Sequence, residues 1–230
     1  MVMKRRTYVL FLSVFALCNA LAAGDDFVGI KLDRGTQKAM AHVQNSLKKQ
    51  LKGMGISFRA APKQNLHITL KHIGDLGKNA AAKRAKYVPY IKNATKGSHA
   101  FSLKKAFQSG KIEITKNGLV KYKLAPHAPL TRMAYRIDGQ LKRAVSHRAL
   151  STLKSRNDFP HNGHVTIGIV NKSSAKKLQR LVNSFDARKV RFPHSKVKKV
   201  MIFQSNAPQK TRKYAVKKEF KLSINKKKKH

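Results

Sequence analysis

Asn65-Leu66-His67-Ile68-Thr69-Leu70-Lys71-His72-Ile73 alternates apolar and polar side chains with a period of two. An extended strand turns that spelling into two faces. Leu66, Ile68 and Leu70 fall on one face, apolar and fit to pack beneath helices. His67 and Thr69 fall on the other. By the same count His72 joins the apolar face and reads as structural. A second stretch, His164-Val165-Thr166-Ile167-Gly168-Ile169-Val170, repeats the arrangement, with His164 and Thr166 opposite Val165, Ile167 and Ile169. The chain has 10 His in 230 residues, so about 0.4 His-x-Thr triplets arise by chance and one alone says little. Two, each on an alternating strand and each in its own half of the chain, say more.

The neighbouring segments supply the rest of an α+β domain. Phe27–Leu32 reads as a first strand. Met40, Val43, Leu47 and Leu51 follow at helical spacing, and Gly53 and Gly55 end that helix. A second helical stretch starts near Asn79 and carries Tyr87 and Ile91 before Gly97. Three short strands are expected at Phe101–Phe107, Lys111–Thr115 and Leu119–Leu124, the last two joined by the hairpin dipeptide Asn117-Gly118. Leu130, Met133, Ile137, Leu141, Ala144 and Val145 mark a long amphipathic helix. Ser173 caps another that carries Leu178, Leu181, Val182 and Phe185. Val197–Phe203 and Tyr214–Leu222 close the chain as strands. Mixed helices and hairpin-linked strands argue α+β.

Charge narrows the partners. Lys and Arg number 51 against 9 Asp and Glu, a net of +42. Such a surface attracts polyanions and favours a monomer. Nucleic acid fits, because neutralised phosphates release counterions; an anionic membrane or an acidic polymer fits the charge alone. Residues 1–22 read as a signal peptide: Lys4, Arg5 and Arg6 precede the apolar run Tyr8–Leu17, and Ala20-Leu21-Ala22 offers a cleavage site. The product is then secreted or periplasmic, with a domain over 23–225, a basic tail over 226–230 and no stable membrane span after processing. Cys18, the one cysteine, lies in that leader. The processed chain has no thiol for a nucleophile, disulfide or thiolate metal site.

The paired motifs specify a chemistry. Imidazole titrates near pH 6.5, so of two, one can be neutral and the other protonated. Across a phosphodiester the neutral one takes a proton from an attacking hydroxyl, and the protonated one gives a proton to the departing oxygen. Thr69 and Thr166 hold the phosphoryl oxygens in line. No metal and no other cofactor is required. Arg59 and Lys71 are candidates for phosphate contact, and Phe159 either stacks on a base or fills the core.

Pro62-Lys63-Gln64-Asn65-Leu66-His67-Ile68-Thr69-Leu70-Lys71, followed by Ile73-Gly74, resembles the first signature of the two-histidine (2H) phosphoesterase superfamily, in its 2′-5′ RNA ligase-like or RNA 2′,3′-cyclic phosphodiesterase branch. Phe159-Pro160-His161-Asn162-Gly163-His164-Val165-Thr166 resembles the second. Ser205, Arg212 and Tyr214 suit the closing loop and strand. The resemblance implies a bilobal fold: two antiparallel sheets related by a pseudo-twofold, helices on the outer faces, and one His-x-Thr per lobe lining a central cleft. It implies opening of RNA 2′,3′-cyclic phosphates to 2′-phosphates without metal, and a weak reverse 2′-5′ ligation. His67 would be the general acid and His164 the general base. Arg59, Phe159, Arg212 and Tyr214 would meet an RNA or short-oligonucleotide substrate.

The chain also departs from that pattern. Asn162-Gly163 intervenes between Pro160-His161 and the second motif, which leaves His161 as a rival to His164. His161, His164 and Asp158 admit a metal reading, although no carboxylate cluster accompanies them. Ile169 stands where relatives commonly carry Arg. A basic nucleic-acid-binding protein of the same fold that has lost activity is the competing class. A cationic membrane-active protein lacks the strongly amphipathic basic helix it would need.

Overall fold

The computed structural model describes residues 25–144, 163–171, 190–193, 195–206 and 213–224, with Ser173 and Leu178. The leader, the basic tail, Asp158, Phe159, His161 and Arg212 lie outside these residues, as does most of the helix after Ser173.

Strand β1 (Asp25–Lys31) leads into helix α1 (Arg34–Lys52). Asp33 caps α1 by accepting the Thr36 N–H at 2.8 Å, which satisfies a donor that has no partner within the helix. A short strand β2 (Phe58–Ala60) and a 3-10 turn (Lys63–Asn65) precede β3 (His67–Asp75). Helix α2 (Ala80–Thr95), β4 (Phe101–Ser102), α3 (Lys104–Gln108), β5 (Lys111–Ile114), β6 (Leu119–Lys123), α4 (Ala128–Ala144) and β7 (His164–Val170) follow. The last described strands are β8 (Lys196–Val197), β9 (Lys199–Asn206) and β10 (Lys213–Lys221).

One antiparallel sheet runs β10-β9-β1-β3-β7-β6-β5, with β2 joined to β7 beside β3. The sheet expected as two is one hydrogen-bonded path, because β3 and β7 meet at a single residue pair, Ile68 and Val165. On either side of that pair lies a four-stranded half. Helices α1, α2 and α4 bury Met40, Val43, Leu47, Ile91, Ile137 and Leu141 in one core with Val28, Ile68, Leu70, Val120, Tyr122, Val165 and Ile202. His67, Thr69, His164 and Thr166 stand half-buried between those core positions.

Two elements differ from expectation. The stretch Phe101–Phe107 forms only the two-residue β4, paired with β8, before turning helical. Leu103, Ala106 and Phe107 fit helical spacing as well as alternation does, and short apolar runs are ambiguous in this way. Tertiary packing decides. As a helix, the segment stacks Phe107 on Phe192 at 5.0 Å between ring centres, and the Phe107 carbonyl accepts the buried Tyr122 hydroxyl at 2.6 Å. Strand β2 has one buried side chain, Phe58, too little pattern to read from sequence. It is fixed from outside: buried Gln44 of α1 donates from Nε2 to the Ala61 carbonyl at 2.8 Å and the Ile167 carbonyl at 2.7 Å. Gln44→Met leaves both carbonyls without that donor. It is expected to destabilise the protein by about 1–3 kcal/mol, read from urea unfolding.

Candidate functional site

Pairing of Ile68 with Val165 decides where the motifs sit. Both side chains are fully buried, so their neighbours in sequence point to the opposite face of the sheet. The strands are antiparallel, so that register sets His67 alongside Thr166 and Thr69 alongside His164. The two histidines then stand on the diagonal, with Cβ atoms somewhat closer than about 7–8 Å, near enough for His164 to act electrostatically on His67.

His67 is the better defined of the two. Pro62 starts the 3-10 turn, and its carbonyl takes the Asn65 N–H at 2.9 Å. The turn leaves the Asn65 carbonyl 2.6 Å from His67 Nδ1. A carbonyl can only accept, so Nδ1 carries the proton and Nε2 presents its lone pair. Phe27 lies against the ring at 4.7 Å between centres, Tyr214 meets it edge-on at 4.7 Å, and Phe203 stands at 5.8 Å. Phe27, Met201 and Phe203 form a small apolar cluster of their own, with Tyr214 packed on it. Gly29, opposite Thr69 in the ladder, lets β1 approach β3 closely: a Cβ there would stand 2.7 Å from the Ile68 carbonyl.

Burial in this aromatic setting pushes the His67 pKa down to about 4; the Asn65 carbonyl works the other way, and the nearby His164 and His72 add to the depression. His67 is therefore neutral at pH 7. The value lies below the 6.5 of an unfolded histidine, so the unfolded chain takes up this proton first as the pH falls. The stability His67 contributes is complete above about pH 6.5 and is lost on descent through pH 4. Between pH 7 and 4.5 the loss is about 2–3 kcal/mol. Urea unfolding at the two pH values is expected to show a smaller drop in His67→Asn than in the parent protein.

The alternation that placed His72 and Lys71 fails at a β-bulge. Gly29 pairs with Thr69, but Val28 pairs with Lys71, which leaves Leu70 as an extra residue on β3. Beyond it the faces exchange. Lys71 turns to the helix side, is buried, and meets Asp138 of α4 at 2.6 Å; it is not a phosphate contact. His72 turns to the His67 face, opposite Phe27, at 6.0 Å between ring centres.

Residues missed in the sequence lie on β5 and β6. Lys123 pairs with His164, Lys121 with Thr166, and Lys111 with Lys123. Cross-strand partners share a face, so Lys121 and Lys123 share the face of the second motif and Lys111 lies one strand further out. No local pattern announces this, because it depends on strand register. Arg59 of β2, exposed, pairs with Ile169. A guanidinium on the next strand thus stands beside the position where the arginine common in relatives is missing. Gly163, immediately before the motif, is buried, and its carbonyl takes the Leu124 N–H at 2.8 Å. Hydrogen bonding across to the β6 side thus continues one residue before His164. Among the described residues, His67, Thr69, His164, Thr166, Arg59 and Tyr214 share the sheet face away from the helices. None of them belongs to a group of three His, Cys, Asp or Glu side chains placed to hold a metal. No described helix is long and apolar enough to cross a membrane.

Comparison with known proteins bears on the fold. Residues 30–108, which include the first motif, match the model of the family described as LigT like Phosphoesterase. No curated protein matches the chain. Among solved structures, a Thermus thermophilus protein is 15% identical, with a TM-score of 0.60 over 87% of this chain and 99% of its own. Escherichia coli LigT in complex with 3′-AMP is 16% identical, with a TM-score of 0.56 over 87% of this chain and 99% of its own. That protein has also been crystallised with ATP and with phosphate. At such identities the likeness is one of fold.

Proposed function

We infer a function for this chain from two likenesses to the LigT-like phosphoesterases, in sequence over residues 30–108 and in the α+β fold. From that premise we propose that it is a metal-independent phosphodiesterase acting on RNA 2′,3′-cyclic phosphates or 2′-5′-linked oligonucleotides through His67 and His164. The observation that carries the reading is the single Ile68–Val165 pair. An antiparallel pair has a local twofold, and here that axis relates one His-x-Thr to the other. Two imidazoles and two hydroxyls would surround one phosphoryl group from opposite sides.

The reaction needs one proton taken and one given. A water oxygen attacks phosphorus, one histidine accepts the water's proton, and the other protonates the ribose oxygen whose bond to phosphorus breaks. Thr69 and Thr166 donate hydrogen bonds to the non-bridging oxygens. The resemblance assigns the acid role to His67, yet in the free protein His67 is neutral with its lone pair at Nε2. An arriving phosphate raises the pKa of an adjacent imidazole. His67 would thus load its proton when the anion binds, and the aromatic enclosure would keep it unprotonated until then. Tyr214 and Arg59 would contact the nucleoside and an outer phosphate. A crystallised 3′-AMP complex of Escherichia coli LigT supports a nucleotide substrate. We further propose that residues 1–22 direct export.

The test uses purified protein, EDTA and a short RNA ending in a 2′,3′-cyclic phosphate. Ring opening, followed by chromatography of the products, supports the reading. Tight binding without turnover, on this RNA and on 2′-5′ oligoadenylates, would favour the inactive nucleic-acid-binding alternative.

A further inference from the structure

We propose that Lys111, Lys121 and Lys123 form a track for the backbone phosphates of a single-stranded oligonucleotide, so that the substrate is the end of an RNA strand rather than a free mononucleotide. The inference rests on the two-histidine reading for the place where the strand ends, and on strand register for the track itself. Lys123 lies directly across from His164, Lys121 across from Thr166, and Lys111 across from Lys123 on the next strand. The alternating residues of the same hairpin, Ile112, Ile114, Val120 and Tyr122, are buried in the core. The lysines are therefore held on the histidine face by a packed hairpin. Its turn at Asn117-Gly118 is closed by the Thr115 N–H donating to the Leu119 carbonyl at 2.9 Å.

The track leads away from the second motif, from β7 across β6 to β5, which ends the sheet. Strands lie about 4.8 Å apart, and alternate residues lie about 6.6–6.8 Å apart along one strand. That spacing is of the same order as the separation of successive phosphates in a single strand, and flexible lysine stems cover the difference. One carboxylate shares the hairpin's face. Glu113 lies across from Lys121 and meets Lys123 Nζ at 3.0 Å. Both partners of that ion pair are about one-third exposed, so it is weak and a phosphate can displace it. Three cations against one anion leave the strip positive. Among the described basic residues, these are set apart by strand register that starts at the second His-x-Thr motif.

The experiment measures binding of an octaribonucleotide with a terminal 3′-phosphate over a range of KCl concentrations. The proteins are the parent, a Lys111→Gln, Lys121→Gln, Lys123→Gln triple variant, and a charge-matched control. That control is Lys38→Gln, Lys48→Gln, Lys49→Gln, at exposed positions of α1 on the helix side. Each phosphate contact contributes about 0.7 to the slope of log K against log salt for single strands, so the track variant should lose about 2 from that slope. Its affinity should fall roughly tenfold or more at low salt. The control should change little, and lysine-to-arginine changes at the three track positions should keep the slope.

In parallel, kcat/KM is compared for the octamer and the mononucleotide with 2′,3′-cyclic ends. The parent should prefer the octamer, and the track variant should lose most of that preference. Equal losses in both triple variants would overturn the proposal in favour of diffuse charge, and equal parent activity on both lengths would overturn it in favour of a mononucleotide substrate. Heparin that binds more tightly than RNA through the same lysines would also overturn it, making the occupant another polyanion. If no substrate is turned over but the salt slopes behave as stated, the catalytic reading fails and the track stands.

Discussion

His164→Ala and His67→Ala are each expected to lower kcat on a cyclic-phosphate RNA by about 10²–10⁴-fold, the usual contribution of a positioned general acid or base. Near-equal losses in the two variants, and a double variant little worse than either, would show that the pair acts as a unit. The KM should move less than kcat, because on the proposed reading the threonine hydroxyls and surrounding cations would still hold the phosphate. The pH profile adds a sharper expectation. His67 sits near pKa 4 in the free protein through burial, so the ascending limb of kcat/KM should begin well below pH 6. The kcat limb should lie higher, because a bound phosphate favours protonated His67. Retention of full activity in either alanine variant would remove that histidine from the chemistry. If the loss fell on His67→Ala alone, His161 would replace His164 as the partner to test.

The largest expected effect on stability lies at the start of β1. Asp26 is fully buried, and its carboxylate accepts from Arg84 of α2 through both oxygens, one at 3.1 Å from Nη2. Arg84 is itself only 11% exposed along its side chain. Asp26→Ala would strand a guanidinium that solvent hardly reaches. Removing one member of a buried pair costs about 3–5 kcal/mol, and urea unfolding would measure it. Replacing the pair together, Asp26→Leu with Arg84→Met, should cost much less, because neither charge then remains. If the single and double variants were equally unstable, packing rather than charge would account for the loss.

The features legible in the sequence were those written in one strand or one helix. Strands β3 and β7 were read from alternation, and α1 and α4 from their apolar spacing. His67, Thr69, His164 and Thr166 emerged because a strand of period two displays its faces without help from a neighbour. The bulge at Leu70 was not legible: it is an agreement between β1 and β3, and it exchanged the faces of Lys71 and His72. The lysines of β5 and β6 went unnoticed for a related reason. In a chain with 51 basic residues, only their cross-strand positions opposite His164 and Thr166 distinguish them. Strand β2 escaped because its one buried side chain makes no pattern, and what holds it is remote in sequence: its pairing with β7 and Gln44 beside its end. Arg59 is one cation among many in sequence, and only pairing puts it beside Ile169.

The junction between the two halves of the sheet has a mechanical meaning. The ladder between β3 and β7 is one residue long, so the apolar core that both halves share, more than hydrogen bonding, ties one to the other. The spacing of the two imidazoles thus rests on Ile68 and Val165, fully buried beneath the face that carries the motifs. Ile68→Val, which changes neither motif, is expected to shift that spacing and so to lower kcat on a cyclic-phosphate RNA.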